Sequence, residues 1–149
     1  MGKVVASVAL AIYLVVLFDL TLFRYMQPGA PPNFVPLRSI LFGFRWGGEM
    51  LVVNFLGNLA AFAPVGLLAP AFWPRKGLAL RVAAASFGLS FLIEALQYRS
   101  GSRVADVDDL ILNTLGGLIG YAVWLSIGRG VRTMGRWRGR PVSPREEVP

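Results

Sequence analysis

Glu94 is a carboxylate inside an apolar run from Leu78 to Leu96, where an acid is least expected. It is not alone: Gln97 follows it by three positions, Asp106, Asp109 and Asn113 open another apolar run, and Asn54 and Asn58 lie in a third. Ionisable and amide side chains are costly in hydrocarbon, so they face a protein interior or a wet cavity and mark candidate sites. Glu94 and Asp109 are the candidate acid/base residues. Arg24, Arg99 and Arg103 flank the runs and offer planar, bidentate donors. A site rimmed by these arginines and floored by acids and amides suits a phosphate-bearing or sugar-bearing ligand. The sharper alternative is a magnesium or calcium ion held by Glu94, Asp106 and Asp109, since oxygen ligands suit hard cations. Nothing matches a glycine-rich phosphate loop, the run Asp106-Val107-Asp108-Asp109 lacks the spacing of a calcium loop, and no cofactor is called for.

The chain contains no cysteine and no histidine. Disulfides, Cys/His zinc sites, haem ligation by either residue, thiol nucleophiles and Ser-His or Cys-His relays are therefore excluded.

Each polar group also has a purely structural explanation. Asp106 suits a helix N-cap and Asp109 the third position after it, where carboxylates accept free backbone N–H groups. Asn54, Asn58 and Asn113 can tie helices together, and Gly116-x-x-x-Gly120 is a packing signal. At helical periodicity the polar and small residues form stripes: Asn54, Gly57, Asn58 and Ala61; Ala83, Ser86, Ser90, Glu94 and Gln97; Asp106, Asp109, Asn113, Gly116, Gly117 and Gly120. Asp108 points away from the last stripe.

The elements that must carry these stripes are membrane spans. Of the 149 residues 55% are hydrophobic, and they fall into blocks from Val4 to Phe23, Met50 to Phe72, Leu78 to Leu96 and Leu110 to Ile127. Each block can cross a bilayer core of about 30 Å at about 1.5 Å per residue. The expected fold is all-α, an integral four-helix transmembrane bundle. The first block has Lys3 before it but runs through Asp19 to Arg24 without a small-x-small cleavage site, so it is expected to be a retained span.

The net charge of +7 follows the membrane. Lys3, Arg75, Lys76, Arg81, Arg129, Arg132, Arg136, Arg138, Arg140 and Arg145 fall on one side, against Arg24, Arg38, Arg45, Arg99 and Arg103 on the other. That asymmetry places both termini in the cytoplasm and the polar stripes toward the outer leaflet. Residues 1–128 then form the membrane domain and 129–149 a basic, disordered or surface-bound cytoplasmic tail. Anionic lipid headgroups explain the tail more simply than nucleic acid, which is not expected as a partner.

The one long loop opens with the breaker-rich Gln27-Pro28-Gly29-Ala30-Pro31-Pro32-Asn33. Leu37, Ile40, Leu41 and Phe44 then recur at helical spacing beside Arg38, Arg45 and Trp46, which suits either a short interfacial helix or a loose membrane-touching loop. Pro64 should kink the second span. Asn54-Phe55-Leu56-Gly57-Asn58-Leu59 and Asn113-Thr114-Leu115-Gly116-Gly117-Leu118 are near-repeats, and Asp19/Arg24 and Glu94/Arg99 share a five-residue spacing. Either the two hairpins are parallel repeats about an axis along the membrane normal, or leucine and glycine recur by chance.

These residues together resemble the VanZ-like family of small membrane proteins. The resemblance runs from Asp19 to about Tyr121, through Thr21-Leu22-Phe23-Arg24, Asn33-Phe34-Val35-Pro36-Leu37, Asn54-Phe55-Leu56-Gly57-Asn58, Phe62-Ala63-Pro64-Val65-Gly66, Glu94-Ala95-Leu96-Gln97 and Arg103-x-x-Asp106-Val107-Asp108-Asp109-Leu110-x-x-Asn113-Thr114-Leu115-Gly116-Gly117. Leu37 departs from the Phe of the family's Asn-x-x-Pro-Phe segment. The resemblance implies a multi-pass protein of the bacterial cell membrane and a link to low-level resistance to the glycopeptide teicoplanin; it supplies no reaction. Three expectations follow. The first is a cell-envelope factor whose outer pocket binds membrane lipid or a lipid-linked cell-wall precursor. The second is an enzyme acting on an isoprenoid-linked or phospholipid headgroup. The third is a scaffold that docks another helix on Gly116 and Gly120. The oligomeric state is open.

Overall fold

A computed structural model describes residues 2–24, 32–48, 51–100 and 105–138. Helix α1, Gly2–Asp19, ends in a π-helical turn, Leu20–Arg24. The loop helix forms as α2, Arg38–Trp46. A second π-helical turn, Leu51–Leu56, leads into α3, Gly57–Leu68, which closes in a 3₁₀ turn, Ala69–Ala71. Helices α4, Leu78–Ser100, and α5, Val107–Arg138, complete the fold. Among the described residues, four segments are long and apolar enough to cross a membrane: Gly2–Leu22, Asn54–Ala71, Leu78–Ser100 and Val107–Gly128.

Lipid tails are as apolar as leucine, so association of these helices rests on close packing and hydrogen bonds more than on hydrophobic burial. Helices α3 and α5 make the most extensive contact. A methyl group on Gly116 or Gly120 would overlap the backbone of Leu59 or Ala63, and one on Gly66 would overlap Gly117. The expectation that Gly116 and Gly120 dock a separate protein is corrected accordingly, because α3 already occupies that face. Helix α4 packs on the other side of α5, with Ser86 against Gly117. Leu17 of α1 joins Phe62 and Ile93 in one apolar cluster, while Ala69, Leu78 and Val82 form a second.

Pro64 lies inside α3 without ending it. Its missing N–H deprives the Ala60 carbonyl of its usual helical partner. On the adjacent carbonyl, Ala61, the Tyr13 hydroxyl donates a hydrogen bond of 2.9 Å, which also pins the otherwise lipid-facing α1.

Two boundaries differ from the sequence reading. Helix α5 starts three residues before the apolar run because Asp106 caps it: its Oδ1 accepts the Asp108 N–H at 2.9 Å. The same helix continues ten residues past Gly128, where the basic tail was expected to leave helical structure. The four arginines of this stretch are strong helix formers and extend a helix that is already nucleated, which offsets the cost of Gly130 and Gly135. The rest of the tail, 139–149, lies outside the described residues.

Candidate functional site

Helices α3, α4 and α5 bring polar side chains to the end of the bundle that carries α2, and the first span meets them there through the Thr21 carbonyl. The arrangement is mostly closed into hydrogen bonds. Asn58 of α3 donates from Nδ2 to Asp109 Oδ1 of α5 at 2.5 Å, and Gln97 of α4 donates to the Thr21 carbonyl of the first span at 2.8 Å. Asn113 donates to Ser90 Oγ at 2.8 Å. Glu94 accepts the Asp106 N–H at 2.9 Å. Asp109 and Asn113 are both buried. Three buried polar atoms, Ser86 Oγ, Gln97 Oε1 and Asn113 Oδ1, have no hydrogen-bond partner among the described residues.

The remaining sequence candidates separate. Asn54 is exposed, because it sits in the π-helical turn, where the 3.6-residue periodicity behind the stripe does not hold. Arg99 is exposed. Arg24 ends a π-helical turn but its side chain, like the whole of Arg103, lies outside the described residues. Among the described residues no group of three carboxylates is placed to share an ion, so the set Glu94, Asp106 and Asp109 is not assembled. Each of these acids is directed to a different hydrogen-bond partner.

The residue that spacing alone passed over is Asp108. Its side chain has no exposed surface. Its Oδ1 accepts the Leu37 N–H at 2.5 Å, and its Oδ2 accepts the N–H groups of Ser39 at 2.7 Å and Ile40 at 3.2 Å. A carboxylate thus caps α2 from another helix, 71 residues away in sequence, and neutralises the positive end of the α2 dipole. The local sequence asks for this: Leu37 occupies the N-cap position, has no side-chain oxygen, and is held at φ 67°, in the left-handed region a leucine rarely adopts.

Asn33 and Ser39 extend the clasp. Asn33 forms a one-residue parallel bridge with Asp106: its N–H bonds the Ala105 carbonyl at 2.9 Å and its carbonyl accepts Val107 N–H at 3.0 Å. Its side-chain amide donates to Asp106 Oδ1 at 2.8 Å and to Ser39 Oγ at 3.0 Å, and Ser39 Oγ donates to Asp106 Oδ2. Six positions separate Asn33 from Ser39, and without the fold nothing ties either to the acidic run.

One consequence of the bridge is an exposed cleft. Phe34, next to Asn33, faces Phe91 and Tyr98 of α4 and Leu110 of α5 around a groove of about 440 Å³. Glu94 and Asp106 also line it. The volume falls within the range of small-ligand pockets. Of the two acid/base candidates, Glu94 reaches this groove, whereas Asp109 is turned toward Asn58.

Fold and site together define a multi-pass helical membrane protein with a polar clasp at one end of its bundle. The VanZ/LLP1 family model matches residues 10–128, which include every residue of the clasp and the groove, and the chain belongs to that family. No curated protein and no solved structure matches it significantly.

Proposed function

We propose that the protein is a bacterial cell-envelope factor that holds a membrane lipid or lipid-linked cell-wall component in the groove beside Glu94 and Asp106, and so lowers susceptibility to glycopeptides such as teicoplanin. The observation that carries this reading is the groove itself: aromatic and aliphatic walls for a hydrocarbon chain, with Glu94 and Asp106 beside them as acceptors for hydroxyl or N–H groups of a polar head. The charge asymmetry of the loops supports cytoplasmic termini, which would put the groove in the outer leaflet.

Photocrosslinking with a diazirine-bearing lipid-linked precursor tests the reading. Leu110→Trp, which fills the groove, should lower crosslinking by about an order of magnitude, the effect of losing roughly 1.4 kcal/mol of binding. Glu94→Gln should abolish any glycopeptide-susceptibility phenotype while the protein is still inserted at normal levels. Crosslinking unchanged in the filled variant would overturn the site. The position of Glu94 on the groove also favours a second reading, an enzyme acting on an isoprenoid-linked or phospholipid headgroup with Glu94 as acid/base. A product formed from such a lipid by the purified protein, and lost in Glu94→Gln, would select the enzyme.

A further inference from the structure

We propose that the outward face of α2 is a binding surface for anionic lipid headgroups, independent of the groove. From Pro32 to Gly48 the chain carries two cations, Arg38 and Arg45, and no acid; the next residue, Glu49, lies outside the described residues. The two arginines are seven residues apart, which places them on one stripe of the helix roughly 10 Å apart along its axis. Both are exposed. Gly43, on the opposite side, is buried, so the arginine stripe faces away from the bundle.

The stripe is bordered by apolar side chains with large open surfaces: Leu41 at 64% exposure on one flank, Phe42 and Trp46 at 49% and 70% on the other. A short helix with a cationic outer face and Leu, Phe and Trp along its edges has the composition of one lying in the headgroup zone. Tryptophan favours that zone because its ring is apolar and its N–H is not. Asp108 sharpens the charge pattern. Its carboxylate is wholly buried under the helix start, where three backbone N–H groups hold it, so the face that α2 turns outward carries positive charge alone. Guanidinium groups pair with phosphate through two parallel hydrogen bonds, and an acid-free cationic face favours an anionic lipid over a zwitterionic one.

The test is lipid retention by the intact protein, titrated with phosphatidylglycerol or phosphatidylcholine and read by native mass spectrometry. The wild-type chain should prefer phosphatidylglycerol. The preference should fall about fivefold for each arginine removed and on the order of twentyfold in Arg38→Gln/Arg45→Gln, and raised salt should weaken it. The Arg38→Lys/Arg45→Lys variant should keep most of it, since the charge remains. A fluorophore on Phe42→Cys, in a chain with no other cysteine, should shift to the blue in phosphatidylglycerol nanodiscs and not in the double glutamine variant. An unaltered preference in the glutamine variant, or an equal loss in the lysine variant, would overturn the proposal.

Discussion

Among individual residues, Asp108 shows how a carboxylate buried in a helical bundle can be satisfied by backbone groups alone. Its three backbone donors are the free N–H groups that any helix start leaves over, and it satisfies them where no local side chain can. In Asp108→Asn one acceptor oxygen gives way to an NH₂ that faces N–H groups, so about 1–3 kcal/mol of stability should be lost. Thermal unfolding in detergent would measure that loss, and amide exchange at Leu37, Ser39 and Ile40 should accelerate while that of α4 does not. Much of this site was legible from residue types. Asp106 as an N-cap and Asn58 and Asn113 as ties between helices follow the structural reading of their residue types, and Glu94 and Gln97 are buried as polar groups within a span should be. The role of Asp108 was not, because helical periodicity says which way a side chain leaves its own helix and nothing about what waits there.

Taken as elements, the helices divide into a tight pair and looser partners. Contact between α3 and α5 is backbone to backbone at Gly66, Gly116 and Gly120, which leaves no flexible atom to move aside. Gly120→Ala should therefore cost about 1–3 kcal/mol, as overpacking does. Gly117 differs, since an added methyl there meets the Ser86 side chain. Gly117→Ala should also destabilise, but Ser86→Ala should recover part of the loss, giving a coupling that a double-mutant cycle in detergent can read. The apolar blocks and the Gly116/Gly120 packing signal were visible in the sequence because span length and small residues are local properties. The π-helical turns at Leu20–Arg24 and Leu51–Leu56 were not, and they are why Asn54 left the stripe assigned to it.

For the whole molecule, the cysteine-free sequence makes orientation in the membrane directly measurable. If the charge asymmetry governs insertion, single cysteines at Lys3 and Lys76 should resist a membrane-impermeant maleimide in intact cells, and one at Arg45 should react. The reverse pattern would move the groove and α2 to the other leaflet. The Asp108 clasp has a further consequence, one of timing. The acceptor that completes the start of α2 is made 71 residues after its first donor, so at synthesis rates of about 5–20 residues per second the short helix waits roughly 4–14 seconds for it. Until the fourth apolar helix is made, the N–H groups of Leu37, Ser39 and Ile40 lack the carboxylate that holds them in the finished fold.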